Sequence, residues 1–136
     1  MDREYLDQII DRINHKCPYN ETNGIRTVLL EEGHSVVEVE VRPEHLNVWG
    51  LPHGGLLFAI ADVASGTAAH STRKNAHFVT ADSSIHFLYA NPEAKRLRAE
   101  GRVIRSGRTL CIVQAEIYDD QDHHVLTGQY TMYDAR

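Results

Sequence analysis

The segment Asn47–Ala69, NVWGLPHGGLLFAIADVASGTAA, constrains the fold more than any other part of the chain. It opens with Gly50, Pro52, Gly54 and Gly55, residues that mark a loop. It then runs without a polar break from Leu56 to Ala61 and continues through Val63, Ala64, Ala68 and Ala69. These positions do not collect on one stripe, and a helix that is hydrophobic all round is a buried helix. One acid, Asp62, lies inside it. An ionised carboxylate away from water is costly unless it is paired, hydrogen-bonded or at a water-lined site. The apolar run is far too short to span a bilayer.

The rest of the sequence supplies what such a helix needs. Tyr5, Leu6, Ile9, Ile10 and Ile13 follow helical spacing. Asp2, Glu4 and Asp7 stand at the end where the helix dipole favours acids. This helix is expected to end at Cys17-Pro18-Tyr19-Asn20 and to pack on the body. Ile25–Leu30 reads as a strand, with a turn at residues 31–34. Val37, Val39 and Val41 alternate with Glu38, Glu40 and Arg42, as in a strand with one wet face. After the apolar helix come four strands, over residues 77–89, 97–106, 110–118 and 125–133. Short turns between them make the pairing largely antiparallel. A curled antiparallel sheet around one apolar helix satisfies both signals and is an α+β architecture.

With 136 residues the chain is expected to form one domain, with residues 1–20 as N-terminal helix and link and 24–136 as core. The net charge of -5 argues against nucleic-acid binding across the whole surface. Cys17 and Cys111 have no motif spacing, which suits a reducing compartment. MDREYLDQII lacks the basic head and apolar run of a secretory signal. A cytoplasmic protein without membrane association is the expectation. The nine histidines include no His-x-x-x-His pair and no Cys/His cluster, so no metal is expected. No nucleophile elbow, P-loop or dinucleotide glycine pattern is present.

Asn47-x-x-Gly50-x-x-His53-Gly54-Gly55 followed by Asp62 resembles the signature of hotdog-fold acyl-CoA thioesterases, most nearly the PaaI-like branch. Thr80-x-Asp82, Asn91-Pro92 and Gly107-Arg108 agree with that pattern. The resemblance implies a curved sheet around a central helix, a homodimer or homotetramer, and hydrolysis of an acyl-CoA to free acid and CoA. No cofactor would be needed beyond the CoA of the substrate. It assigns carbonyl polarisation to the Gly54 N–H and makes Asp62 the general base or the nucleophile. It places Asn47 and His53 in the supporting loop near the thioester and gives Thr80 a hydroxyl that holds the water or the acid. Ser83 and Ser84 are close enough in sequence to compete with Thr80.

The residues bear on these assignments independently. Gly54 and Gly55 begin a helix, where N–H groups lack intrahelical acceptors and the dipole end is positive. His53 and Asp62 are separated by roughly 13 Å of rise on one helix. One thioester cannot contact both, so if both act on one bond they come from different subunits. Lys95 to Arg108 contains six of the 14 basic residues. Arg forks suit phosphate, and Arg105 and Arg108 are the candidates for the CoA phosphates.

Each assignment has a plain structural counterpart. Asp62 can be a buried acid satisfied by Ser or Thr, His53 a helix cap, and Gly55 a packing residue. Arg96, Arg98 and Arg102 read as a solvated strand face. Two other functions remain open: an acyl-CoA or acyl-ligand binding hotdog module without turnover, and a hotdog hydratase or dehydratase.

Overall fold

The computed structural model describes residues 1–136. Helix α1 (Arg3–His15) starts where Asp2 accepts the Tyr5 N–H at 2.9 Å. Its Leu6 and Ile9 pack on Leu30. The stop expected at Cys17–Asn20 is the start of a second helix. Pro18 takes the first position of α2 (Pro18–Asn23), where its missing N–H costs nothing. Gly24 closes that helix with a positive φ of 70°.

Two strands follow, β1 (Arg26–Glu31) and β2 (His34–Glu40), then a 3-10 turn at Pro43–His45 and helix α3 (Gly54–His70). The remaining strands are β3 (Phe78–Phe87), β4 (Arg96–Ser106), β5 (Leu110–Asp119) and β6 (His124–Asp134). All six form one antiparallel sheet in the order β1-β2-β4-β5-β6-β3. The late strands are therefore not a simple series of hairpins. β3 pairs with β6 at the edge, and the link to β4 crosses β6 and β5. Asn91 anchors this link by donating to the buried Asp119 carboxylate at 3.3 Å.

Small residues let α3 lie close to the sheet. Ile60, Ala61, Ala64 and Ala68 face Ala99, Val113, Ala115 and Ile117 in one buried cluster. At the closest approach Ser35 Oγ donates to the Ala64 carbonyl at 2.5 Å. A Cβ on Gly101 would lie 2.5 Å from that same oxygen.

The helix is not buried on every side, contrary to the sequence expectation. The sheet and the α1–α2 segment leave an open stripe through Gly55, Phe58, Ala59, Asp62, Val63 and Gly66, with Phe58 39% exposed. These positions recur at three- and four-residue spacing, one face of the helix. They border β3, whose outer edge is unpaired. No helix is long and apolar enough to cross a membrane.

Gly101→Ala is expected to destabilise the protein by about 1–3 kcal/mol through overpacking against α3. Urea unfolding checks this, and an unchanged midpoint would show slack between helix and sheet.

Candidate active site

Backbone bonds shape the loop ahead of α3. Asn47 N–H donates to the Leu51 carbonyl at 2.8 Å, and Gly50 N–H donates to the Asn47 carbonyl at 3.0 Å. The Asn47 carboxamide oxygen accepts from Trp49 N–H at 2.9 Å and Leu51 N–H at 3.1 Å. This is the local side-chain bonding that makes Asn a turn former. Gly50 has φ 75°, the left-handed region that glycine enters freely. Buried His45 secures the other side, accepting from Arg42 N–H and bonding the Asn23 carbonyl through Nε2. The loop thus reaches α3 with a fixed approach.

His53 is the N-cap of α3. Its Nδ1 accepts the Gly55 N–H at 2.7 Å. A Cβ on Gly55 would stand 2.9 Å from that nitrogen, so the cap itself requires glycine there. With Gly55 occupied, the Gly54 N–H has no acceptor. It points from the first turn of a 17-residue helix, where the dipole end is positive. The Phe87 ring packs beside it, 3.6 Å from where a Gly54 Cβ would be.

Asp62 lies about 12 Å further along the axis. Thr80 Oγ1 donates to its Oδ1, and its Oδ2 has no protein partner. Burial pushes the Asp62 carboxyl up from the usual range, and the Thr80 bond opposes this. Tyr130 donates its hydroxyl proton to the Phe58 carbonyl at 2.8 Å. Burial, and then the Asp62 charge, drive that hydroxyl above its ordinary value. An apolar groove opens beside the acid, walled by Ile13, Cys17, Tyr19, Val63, Phe78, Val79 and Met132. A separate recess at the head of α3 is lined by His53, Gly55, Leu56, Leu46, His45, Glu44 and Tyr19.

The fold brings Asp62 to Thr80 and His53 to Gly55 but keeps these two pairs apart. Ser83 shares the face of Thr80 because β3 bulges between Thr80 and Asp82. It pairs with Tyr130 and its hydroxyl makes no hydrogen bond. Arg105 and Arg108 are exposed at the β4–β5 turn. Arg73 ties that turn to the C-terminal end of α3 by donating to the Gly107 and Arg108 carbonyls. Both arginines therefore sit at the opposite end of α3 from Gly54. Tyr130 and His45 were not found by sequence reasoning. Their signal was available for Tyr130 alone, as an aromatic hydroxyl at an inward position of a strand.

The thioesterase superfamily model matches residues 50–126. The chain belongs to the thioesterase superfamily. A protein of Archaeoglobus fulgidus to which esterase activity is ascribed is 30% identical over 130 residues, spanning 93% of this chain and 83% of its own. The acyl-coenzyme A thioesterase PaaI of Escherichia coli is 31% identical over 102 residues, 75% of this chain and 71% of its own. The E. coli PaaI structure superposes with a TM-score of 0.90 at 24% identity, covering 98% and 95% of the two chains. A Streptococcus pneumoniae thioesterase solved with coenzyme A gives 0.78 at 28% identity, covering 91% and 94%. Solved variants of that protein replace an aspartate or a threonine with alanine. The architecture is the hotdog fold, of the PaaI-like type.

The Asp62 carboxyl is expected to titrate above its ordinary value, and higher still in Thr80→Val, where the opposing bond is lost. Carbon NMR of the carboxyl against pH reads both. The sign for stability follows: the folded chain holds this proton to higher pH than the unfolded one. Stability from this group is therefore present below the ordinary value and lost as pH rises through the folded one. An Asp62 that titrates below the ordinary aspartate value would contradict its burial.

Proposed function

We propose that the chain hydrolyses an acyl-CoA thioester to the free acid and CoA, at a site built from α3 of two subunits. The observation that carries this is the division of α3 into two ends. An unpaired N–H lies at its head, and an acid with one free oxygen lies about 12 Å along it. A thioester carbonyl oxygen on the Gly54 N–H of one subunit would meet Asp62 of the neighbouring one. The open stripe on α3 and the unpaired edge of β3 supply the contact for a homodimer, which can pair again into a homotetramer.

In this reading Asp62 Oδ2 takes a proton from water as the water oxygen bonds to the carbonyl carbon, or attacks that carbon itself and forms a mixed anhydride that water hydrolyses to the free acid after CoA has left. Thr80 fixes the carboxylate through Oδ1 and leaves Oδ2 to react. Charge develops on the carbonyl oxygen, where Gly54 N–H stabilises it. The C–S bond then breaks and CoA leaves as thiolate, which takes up the proton that Asp62 removed from water or, on the nucleophilic route, the proton released when water opens the anhydride. His53 and Asn47 hold the loop that aims the N–H, and Gly55 admits the cap. Ser83 lies on the substrate side of β3, and Arg105 and Arg108 meet phosphates of CoA. The acyl group occupies the apolar groove beside Asp62. No step calls on a cofactor other than substrate CoA. The CoA-bound S. pneumoniae relative and E. coli PaaI support the substrate class.

Short, medium, long and aromatic acyl-CoAs, assayed by free-thiol release, test the reading. Tight acyl-CoA binding without thiol release from any of them would favour the binding module instead. Asp62→Asn is expected to lose at least about 100-fold in kcat while its melting temperature holds or rises, since a half-buried, partly desolvated charge is removed. Gly54→Pro deletes the unpaired N–H at a first helical position that tolerates proline, and is expected to cost about 100- to 1000-fold in rate. Mixing the two variants one to one restores about a quarter of wild-type activity if each site draws on both chains of a two-fold dimer. No recovery on mixing, with heterodimers demonstrated, would place both residues in one subunit's site.

A further inference from the structure

We infer that His70 is a positioning residue for Asp62, acting through the start of β3 and Thr80. The inference rests on the catalytic assignment of Asp62 above.

His70 lies in the last turn of α3. Its Nδ1–H donates back to the Gly66 carbonyl at 2.8 Å. That bond fixes the tautomer and leaves the Nε2 lone pair, which accepts the Phe78 N–H at 3.1 Å. One imidazole thus joins the end of α3 to the first residue of β3. Two residues on, Thr80 donates to Asp62, back on α3. The chain of contacts is a closed loop between one helix and one edge strand. Within the chain β3 pairs on one side alone, with β6. The ring is also braced edge-on against Phe78, with centroids 5.3 Å apart.

The Phe78 bond requires a neutral ring, since a protonated Nε2 cannot accept, whereas the Nδ1–H bond to Gly66 is made in either form. Burial pushes the His70 pKa down; the Gly66 carbonyl opposes this, Arg12 from α1 and His77 ahead of β3 add to it, and Asp134 from β6 opposes. Tyr5 of α1 faces the backbone here, donating to the Arg73 carbonyl at 3.2 Å. Arg73 lies over the Phe78 ring. The surroundings favour the acceptor form at neutral pH.

The test is a coupling experiment on the intact enzyme, with kcat and KM measured on the best acyl-CoA. His70→Leu removes both bonds and is expected to lower kcat between about 10- and 100-fold, the scale of a small misplacement of a reacting group, with KM little changed. His70→Gln, whose amide can donate and accept, restores most of kcat. In a Thr80→Val background His70→Leu has no further effect on kcat, because the path to Asp62 is already cut. A lowered melting temperature with kcat intact, or effects that multiply independently with Thr80→Val, would overturn the inference. Wild-type imidazole NMR gives a second check that needs no variant: the Nδ1–H tautomer is expected, and an Nε2–H tautomer overturns it. Asp62→Asn run in parallel keeps the two readings separate. Retained turnover there sinks the catalytic assignment itself, whereas its loss without His70–Thr80 coupling sinks the positioning role alone.

Discussion

A helix apolar on every side needs more cover than one sheet can give. The sheet and the α1–α2 segment cover α3 on the side of Ile60, Ala61, Ala64 and Ala68 and stop short of Phe58, Ala59, Asp62 and Val63. Much of the molecule follows from this. Alanines and Gly101 bring the covered side close, and Ser35 locks the approach on the Ala64 carbonyl. The uncovered side keeps apolar residues that gain nothing from water. It also keeps the one acid of the helix. On the proposed reading a second copy supplies the missing cover, so completing the core and completing the site are the same event.

Asp62 shows the conflict between stability and use. A buried carboxylate would be quietest with both oxygens satisfied. Here Thr80 satisfies Oδ1 alone, and desolvation outweighs that bond in setting the direction of the pKa. By contrast Asp134 collects donors from His77, Arg136 and Arg73 and is driven far below the ordinary carboxylate range. Asp119 accepts from Gln121, His123 and Asn91 and also titrates low, despite its burial. Those two acids hold turns in place. Asp62 is left with an unused oxygen and a stored electrostatic cost, the pattern expected of a group kept for reaction.

The sequence carried the fold class because its strongest signals are local. The alternating apolar residues of β2 and β5, the continuous apolar run of α3 and the glycines ahead of it each depend on residues a few positions apart. Strand order was less legible. β3 sits at the edge beside β6 because its link passes over two strands, and no residue in 88–95 announces a crossover. The bulge that turns Ser83 onto the face of Thr80 is likewise invisible to strict alternation. The open stripe was hidden for a different reason. An apolar position looks the same whether its own chain or another covers it. His53 was legible as a cap or a site residue, and the geometry makes it a cap. His70 was not legible, since its two partners are backbone groups and carry no side-chain signature.

The cap at His53 explains why the N-terminal end of α3 carries two glycines with different duties. Four N–H groups at a helix start lack intrahelical partners. Leu56 and Leu57 N–H both reach the His53 carbonyl, and Gly55 N–H goes to the His53 ring. That leaves Gly54 as the one unmet donor of the first turn. A helix start normally seeks to satisfy such a group with a side chain, and His53 is spent on its neighbour. Had the cap been a Ser or Asp reaching another N–H, a different amide would stand open, or none. The identity of the capping residue therefore selects which backbone donor is left open, on the proposed reading toward the thioester. Gly55 is glycine because the ring must fit against it, and Gly54 lets a ligand come close to the free N–H. The motif His53-Gly54-Gly55 is in this sense a single device: the imidazole consumes one donor so that the adjacent one is presented alone.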